Sequence, residues 1–153
     1  MGVTERRKAR KEYASLARKY GLPKLEELEE EFHFYLQEGP VLPNVLVSIL
    51  RKMGHVETLI EEILYPRKFL LVNLGRFFTE EEKEELLEFY KKLEAKLFLG
   101  DLALLSGEDR VKILKELIEF HRKEVKPFSK KLYGKVIEGL KGGERKREVF
   151  YLR

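Results

Sequence analysis

Cysteine and tryptophan are absent from the 153 residues, glutamine occurs once and asparagine twice. Without cysteine there can be no disulfide framework, thiol nucleophile, iron–sulfur cluster or cysteine-ligated zinc, and the fold has no need of an oxidising compartment. A chain of this length buries roughly 68–70% of its unfolded surface, so it can fold without a covalent or metal staple. Long apolar runs are missing too. Residues 69–72 and 102–105 are four-residue runs, far below the roughly 18 residues of a membrane span. Residues 1–6, MGVTER, carry charge where a secretory signal needs apolar side chains, and Arg6 stands where a myristoylation site needs Ser or Thr. These absences predict a cytoplasmic protein with no membrane partner.

Charged side chains are abundant, at 38% of the chain against a norm of roughly 25%. The excess is Glu (25), Lys (19) and Arg (12), with only two Asp, a set that favours helix. Together with the scarcity of Asn, Gln and Cys it is the composition expected of a hyperthermophile protein.

Apolar residues recur at spacings of three and four, and the breaks fall at Gly or Pro. The pattern predicts an all-α, single-domain bundle of six to seven antiparallel helices over residues 1–143, with a basic and aromatic tail at 144–153. A first helix is expected from Thr4 to Tyr20, and a second from Pro23 to Glu38, ended by Gly39-Pro40. Residues 44–65 are apolar on nearly all sides and should be central, with Gly54 as a possible break. Residues 67–78 read as a short buried helix, with a strand paired to 149–152 as the alternative. Thr79 and Glu82 form a capping box for a helix reaching Leu99 and stopping at Gly100, followed by another turn or two at 101–105. Ser106 to Asp109 should cap a further helix, which Pro127 ends near Lys126. The last helix is expected over 128–140.

The stretch Leu16-Ala17-Arg18-Lys19-Tyr20-Gly21-Leu22-Pro23 with Leu25-Glu26-Glu27-Leu28, and later Phe77-Phe78-Thr79-Glu80-Glu81-Glu82-Lys83, resembles a group of uncharacterised all-helical proteins of hyperthermophilic archaea. The likeness covers about a quarter of the chain and consists of helix punctuation. It implies a helical fold, and carries over neither an activity nor catalytic residues.

Charge is unevenly distributed. Residues 1–20 hold seven Lys/Arg against two Glu (+5), residues 127–153 eight against three acids (+5), and residues 21–40 one Lys against six Glu (−5). Arg6, Arg7, Lys8, Arg10 and Lys11, with Arg145, Lys146 and Arg147, could therefore contact nucleic-acid phosphates. The competing and favoured reading is that the basic first helix is solvated and pairs with the acidic second. A helix–turn–helix over 14–32 fails on charge, because its recognition helix would bring five glutamates to the phosphates.

Chemistry-bearing motifs are sparse. Glu30 and His33 have the i, i+3 spacing that bundle metalloproteins use, but the only counterpart, His121 with Glu124, is reversed and flanked by Arg122 and Lys123. His121 falls on an apolar stripe and reads as a buried histidine satisfied by a carbonyl or a Glu. His33 and His55 read as surface residues. The four serines lie in no nucleophile elbow, and no phosphate loop is present. No catalytic residue, cofactor or metal ligand is assigned. Val149, Phe150, Tyr151 and Leu152 are apolar beyond a Gly-Gly stop, which points to docking on the parent domain, a second copy or a partner. The leading reading is a non-catalytic protein–protein interaction or assembly module. Non-sequence-specific nucleic-acid binding comes second and a bundle metalloprotein third.

Overall fold

Apolar side chains nearly encircle the segment around residues 44–65, a pattern that a helix satisfies only by packing on several sides. A computed structural model describes residues 3–37, 39–67 and 71–151. It places this segment in α3 (Val41–Leu64), one helix of 24 residues with Val45, Leu46, Ile49, Met53, Ile60 and Ile63 shielded from solvent. The other helices are α1 (Val3–Tyr20), α2 (Leu25–Phe32), α4 (Glu80–Ser106), α5 (Arg110–Phe120) and α6 (Lys126–Tyr151), with a 3-10 turn at Leu74–Phe77. Helix makes up 84% of the structure, and no strand occurs among the described residues. The all-α expectation stands. α3 packs against α1, α2, α4 and α5, while α6 leans on the 3-10 turn.

The expected six or seven separate helices are not confirmed, because the expected breaks at Gly100 and Pro127 and the possible one at Gly54 are bridged. Gly54 sits inside α3 with open space around it. Gly100 sits inside α4 directly under the Leu50 side chain of α3, where a Cβ would collide. That glycine lets two helices approach instead of stopping one. At Pro127 the chain stays helical through a π turn, His121–Val125, in which the Lys126 N–H donates to the His121 carbonyl five residues back. α5, the π turn and α6 therefore form one rod, and the described residues make five rods in all.

Other boundaries move for local reasons. α2 ends at Phe32 because His33 takes a left-handed conformation (φ 51°) and caps it. Residues 34–37 then leave the helix, and the Glu29 carboxylate accepts the Leu36 N–H at 3.2 Å while binding Arg10 at 2.8 Å. Ser106 is the last residue of α4, followed by left-handed Gly107, and Asp109 makes no side-chain cap to α5. The second capping motif is thus not formed. The first is: Thr79 Oγ1 accepts from Glu82 N–H at 3.1 Å, and Glu82 Oε1 accepts from Thr79 N–H at 2.9 Å. Residues 71–78 form a bend and the 3-10 turn instead of a buried α-helix. α6 passes the Gly142-Gly143 pair and reaches Tyr151, since the helix-favouring run Glu144-Arg145-Lys146-Arg147-Glu148 offsets two glycines that cost about 1 kcal/mol each.

Lys135 fastens α6 to the start of α4, pairing with Glu82 and lying over the Phe78 ring. One turn further on, Gly139 lies against the Phe77 ring, whereas Gly134 faces open space. Two substitutions of the same chemistry should then have opposite signs. Gly134→Ala is expected to stabilise the fold by about 0.4–1 kcal/mol, and Gly139→Ala to destabilise it by about 1–3 kcal/mol by pushing a methyl into the ring. Thermal melts of the two variants check this; melting shifts of equal sign would contradict the packing.

Candidate functional site

Three glutamates on the last turns of α2 make one wall of a cleft. Glu27, Glu30 and Glu31 line it with His33, whose left-handed cap turns the chain away and leaves the imidazole exposed. Lys52, His55 and Val56 of α3 form a second wall, and Lys126, Ser129, Lys130 and Tyr133 of α6 a third, around a volume of about 890 Å³. All three histidines of the chain line this one cleft, although nothing in their sequence positions links them.

His121 and Arg122 enter the cleft from the π turn. The His121 ring packs on Phe32 (centroids 4.6 Å apart, tilted 50°), and its side chain is 7% exposed. Its Nδ1 is 3.5 Å from Glu31 Oε1, close enough for charge attraction but not hydrogen-bonded, and is the one buried side-chain polar atom without a partner among the described residues. Burial pushes the imidazole below its ordinary value, with Lys126 and Lys52 acting in the same direction, against the pull of Glu31. Arg122 binds Glu31 through Nε and Nη2 at 2.9–3.2 Å, with Glu27 at 3.8 Å. Burial alone would raise the Glu31 carboxyl, but the Arg122 guanidinium holds it below the usual carboxylate range.

The residues singled out from sequence are placed unevenly. Arg6, Arg7, Lys8 and Lys11 are exposed on α1, whereas Arg10 is held by Glu29 and reaches Glu26 at 3.5 Å. The side chains from 143 onward lie outside the described residues, so Arg145, Lys146, Arg147, Val149, Phe150, Tyr151 and Leu152 are not placed. Of the metalloprotein set, Glu30, His33 and His121 share the cleft, but Glu124 pairs with Lys92 at 3.8 Å. The set brings no three donor atoms within 4.8 Å of one another among the described residues. The histidine expected to be satisfied in the core is buried but lacks its hydrogen bond.

Two features were not read from the sequence. On α4, Ala95, Phe98, Leu102 and Leu105 are exposed, the last three at 66%, 57% and 86%. Their 3-4-3 spacing is visible in the sequence, but it runs beside a second apolar stripe, Leu86, Leu93, Gly100 and Ala103, which faces the core. Between α3 and α4, the carboxylates of Glu57, Glu61 and Glu94 lie within 4.8 Å of one another, and Tyr90 Oη donates to Glu61 at 2.6 Å. No family model, curated protein or solved structure matches the chain.

In this acidic cluster, burial and then the neighbouring Glu94 carboxyl push Glu57 up to about 7. A carboxyl raised from 4.5 holds its proton longer in the folded state, so it lowers stability as pH rises from about 4.5 through about 7. Glu57→Gln should therefore melt above the parent at pH 8, with the difference vanishing toward pH 4.5. A difference independent of pH in paired melts would contradict the clustering.

Proposed function

We propose that the chain is an assembly module that pairs with a second copy of itself through α4. The observation that carries the reading is the exposed seam Ala95, Phe98, Leu102 and Leu105. Apolar side chains at 3-4-3 spacing are the a and d positions of a coiled coil, where helices meet knobs into holes. Large apolar side chains exposed together along one helix face are the kind of feature that interaction surfaces use. A two-fold pair is favoured because a single stripe of this kind is self-complementary, Leu102 of one copy packing near Leu102 of the other. The buried stripe on the other side of α4 keeps the helix seated on α3, so the seam is presented on a rigid element.

Catalysis is not part of the reading. The described residues align no nucleophile with a base, and His121 Nδ1 stands 3.5 Å from its nearest carboxylate. Non-specific nucleic-acid binding is the second reading. It rests on Arg6, Arg7, Lys8 and Lys11, which are exposed and have no carboxylate partner among the described ion pairs, so pairing with α2 accounts for Arg10 alone.

The decisive test is solution mass by light scattering after size exclusion, over a tenfold range of concentration. The parent chain is expected to be a dimer, and Leu102→Lys a monomer that keeps its helical circular dichroism but melts at a lower temperature that no longer depends on concentration, since association no longer stabilises the fold. A monomeric parent, or a variant that still dimerises, overturns the reading.

A further inference from the structure

The cleft holds charged side chains of both signs, but its three lysines are not paired with its glutamates. On the acidic wall, Arg122 is committed to Glu31 and reaches Glu27. On the other walls, Lys52, Lys126 and Lys130 line the cleft, yet none of them takes part in an ion pair among the described residues. Lys126 and Lys130 are one helical turn apart on α6, so their ammonium groups share a face. Between these walls the His121 ring, more than nine-tenths buried, lines the cleft, its Nδ1 sealed from solvent 3.5 Å from Glu31 Oε1. Ammonium groups left without a carboxylate partner around a cleft of this size point to an anion that binds there.

We propose that this cleft binds a small phosphate monoester, its phosphoryl group taken by Lys52, Lys126 and Lys130. The side-chain chemistry selects the ligand class. Three flexible ammonium groups are point charges suited to the distributed charge of a phosphoryl dianion, whereas planar recognition of a carboxylate calls for an arginine fork. The one arginine present is already engaged by the acidic wall. The volume of about 890 Å³ exceeds what inorganic phosphate fills and falls in the range of small-ligand pockets. Glu30, which has no ion pair among the described residues, offers carboxylate acceptors. The non-phosphoryl end of the ligand therefore carries hydroxyl or amino donors, as a sugar phosphate does. The site shares no residue with the α4 seam, so it stands whether or not the chain dimerises.

The probes are glucose 6-phosphate, inorganic phosphate and glucose, titrated into the full chain by calorimetry and by NMR of the histidine rings. Glucose 6-phosphate is expected to bind and to shift the His121 resonances, with inorganic phosphate at least tenfold weaker and glucose without effect. The double variant Lys126→Gln/Lys130→Gln, whose side chains are exposed, should melt like the parent and bind at least tenfold more weakly. Absence of binding by both phosphates overturns the proposal, and so does binding that the double variant leaves unchanged. Equal affinity for inorganic phosphate and the ester overturns the assignment of a monoester.

Discussion

Pro127 has no N–H to donate, and its ring would press on the carbonyl four residues back if α5 simply continued as an α-helix. The chain meets this constraint by widening one turn, so that Lys126 reaches back five residues to His121. Much else follows from that extra residue. The turn carries His121 onto Phe32 and sets Arg122 against Glu31, so the end of α2 is gripped by an aromatic contact and a two-nitrogen ion pair at once. Ser129 Oγ donates to the Val125 carbonyl at 2.7 Å, supplying a donor just beyond the proline. π turns of this kind are frequent at functional sites because they re-aim side chains without ending the helix. Here two of the re-aimed residues, His121 and Arg122, line the cleft.

The acidic α2 illustrates how charge is used. Arg10 takes Glu29 from the α1 side, and Arg122 takes Glu31 from the π turn. Exposed ion pairs contribute little, about 0–1 kcal/mol each. Glu29 and Glu31 differ because their side chains are only 10% and 15% exposed, so losing either arginine would strand a partly buried carboxylate. The penalty would still be smaller than the about 3–5 kcal/mol of a fully buried pair, since both arginines remain about 40% exposed. Among the described residues, the surfaces left without protein partners include the apolar seam of α4, the basic face of α1 and the lysine walls of the cleft.

Fold class and most of the core were legible in the sequence because period 3–4 hydrophobicity is strong in most segments, residues 67–78 excepted, and the Thr79-Glu82 box was readable as local chemistry. Boundaries at Gly54, Gly100 and Pro127 were not. A glycine stops a helix or admits a neighbour depending on what packs over it, and only Leu50 decides the matter at Gly100. A π turn has no sequence signature apart from the proline it accommodates. The cleft was illegible for a similar reason: His33, His55 and His121 sit on separate elements, and their meeting is a tertiary event. The α4 seam was in principle readable, but a helix with apolar residues on two faces does not announce which face another helix of its own chain will cover.

His121 sits where the grip set up by Pro127 closes, buried and only loosely associated with Glu31. The most direct measurement is an NMR titration of the His121 ring nitrogens in the full chain. A neutral imidazole at pH 7 is expected, protonating below the ordinary 6.5 because burial outweighs the pull of Glu31, with stability declining as pH falls from about 6.5 through the lowered folded-state value. A ring already protonated at neutral pH would mean that the ion pair prevails over burial, and would contradict the account.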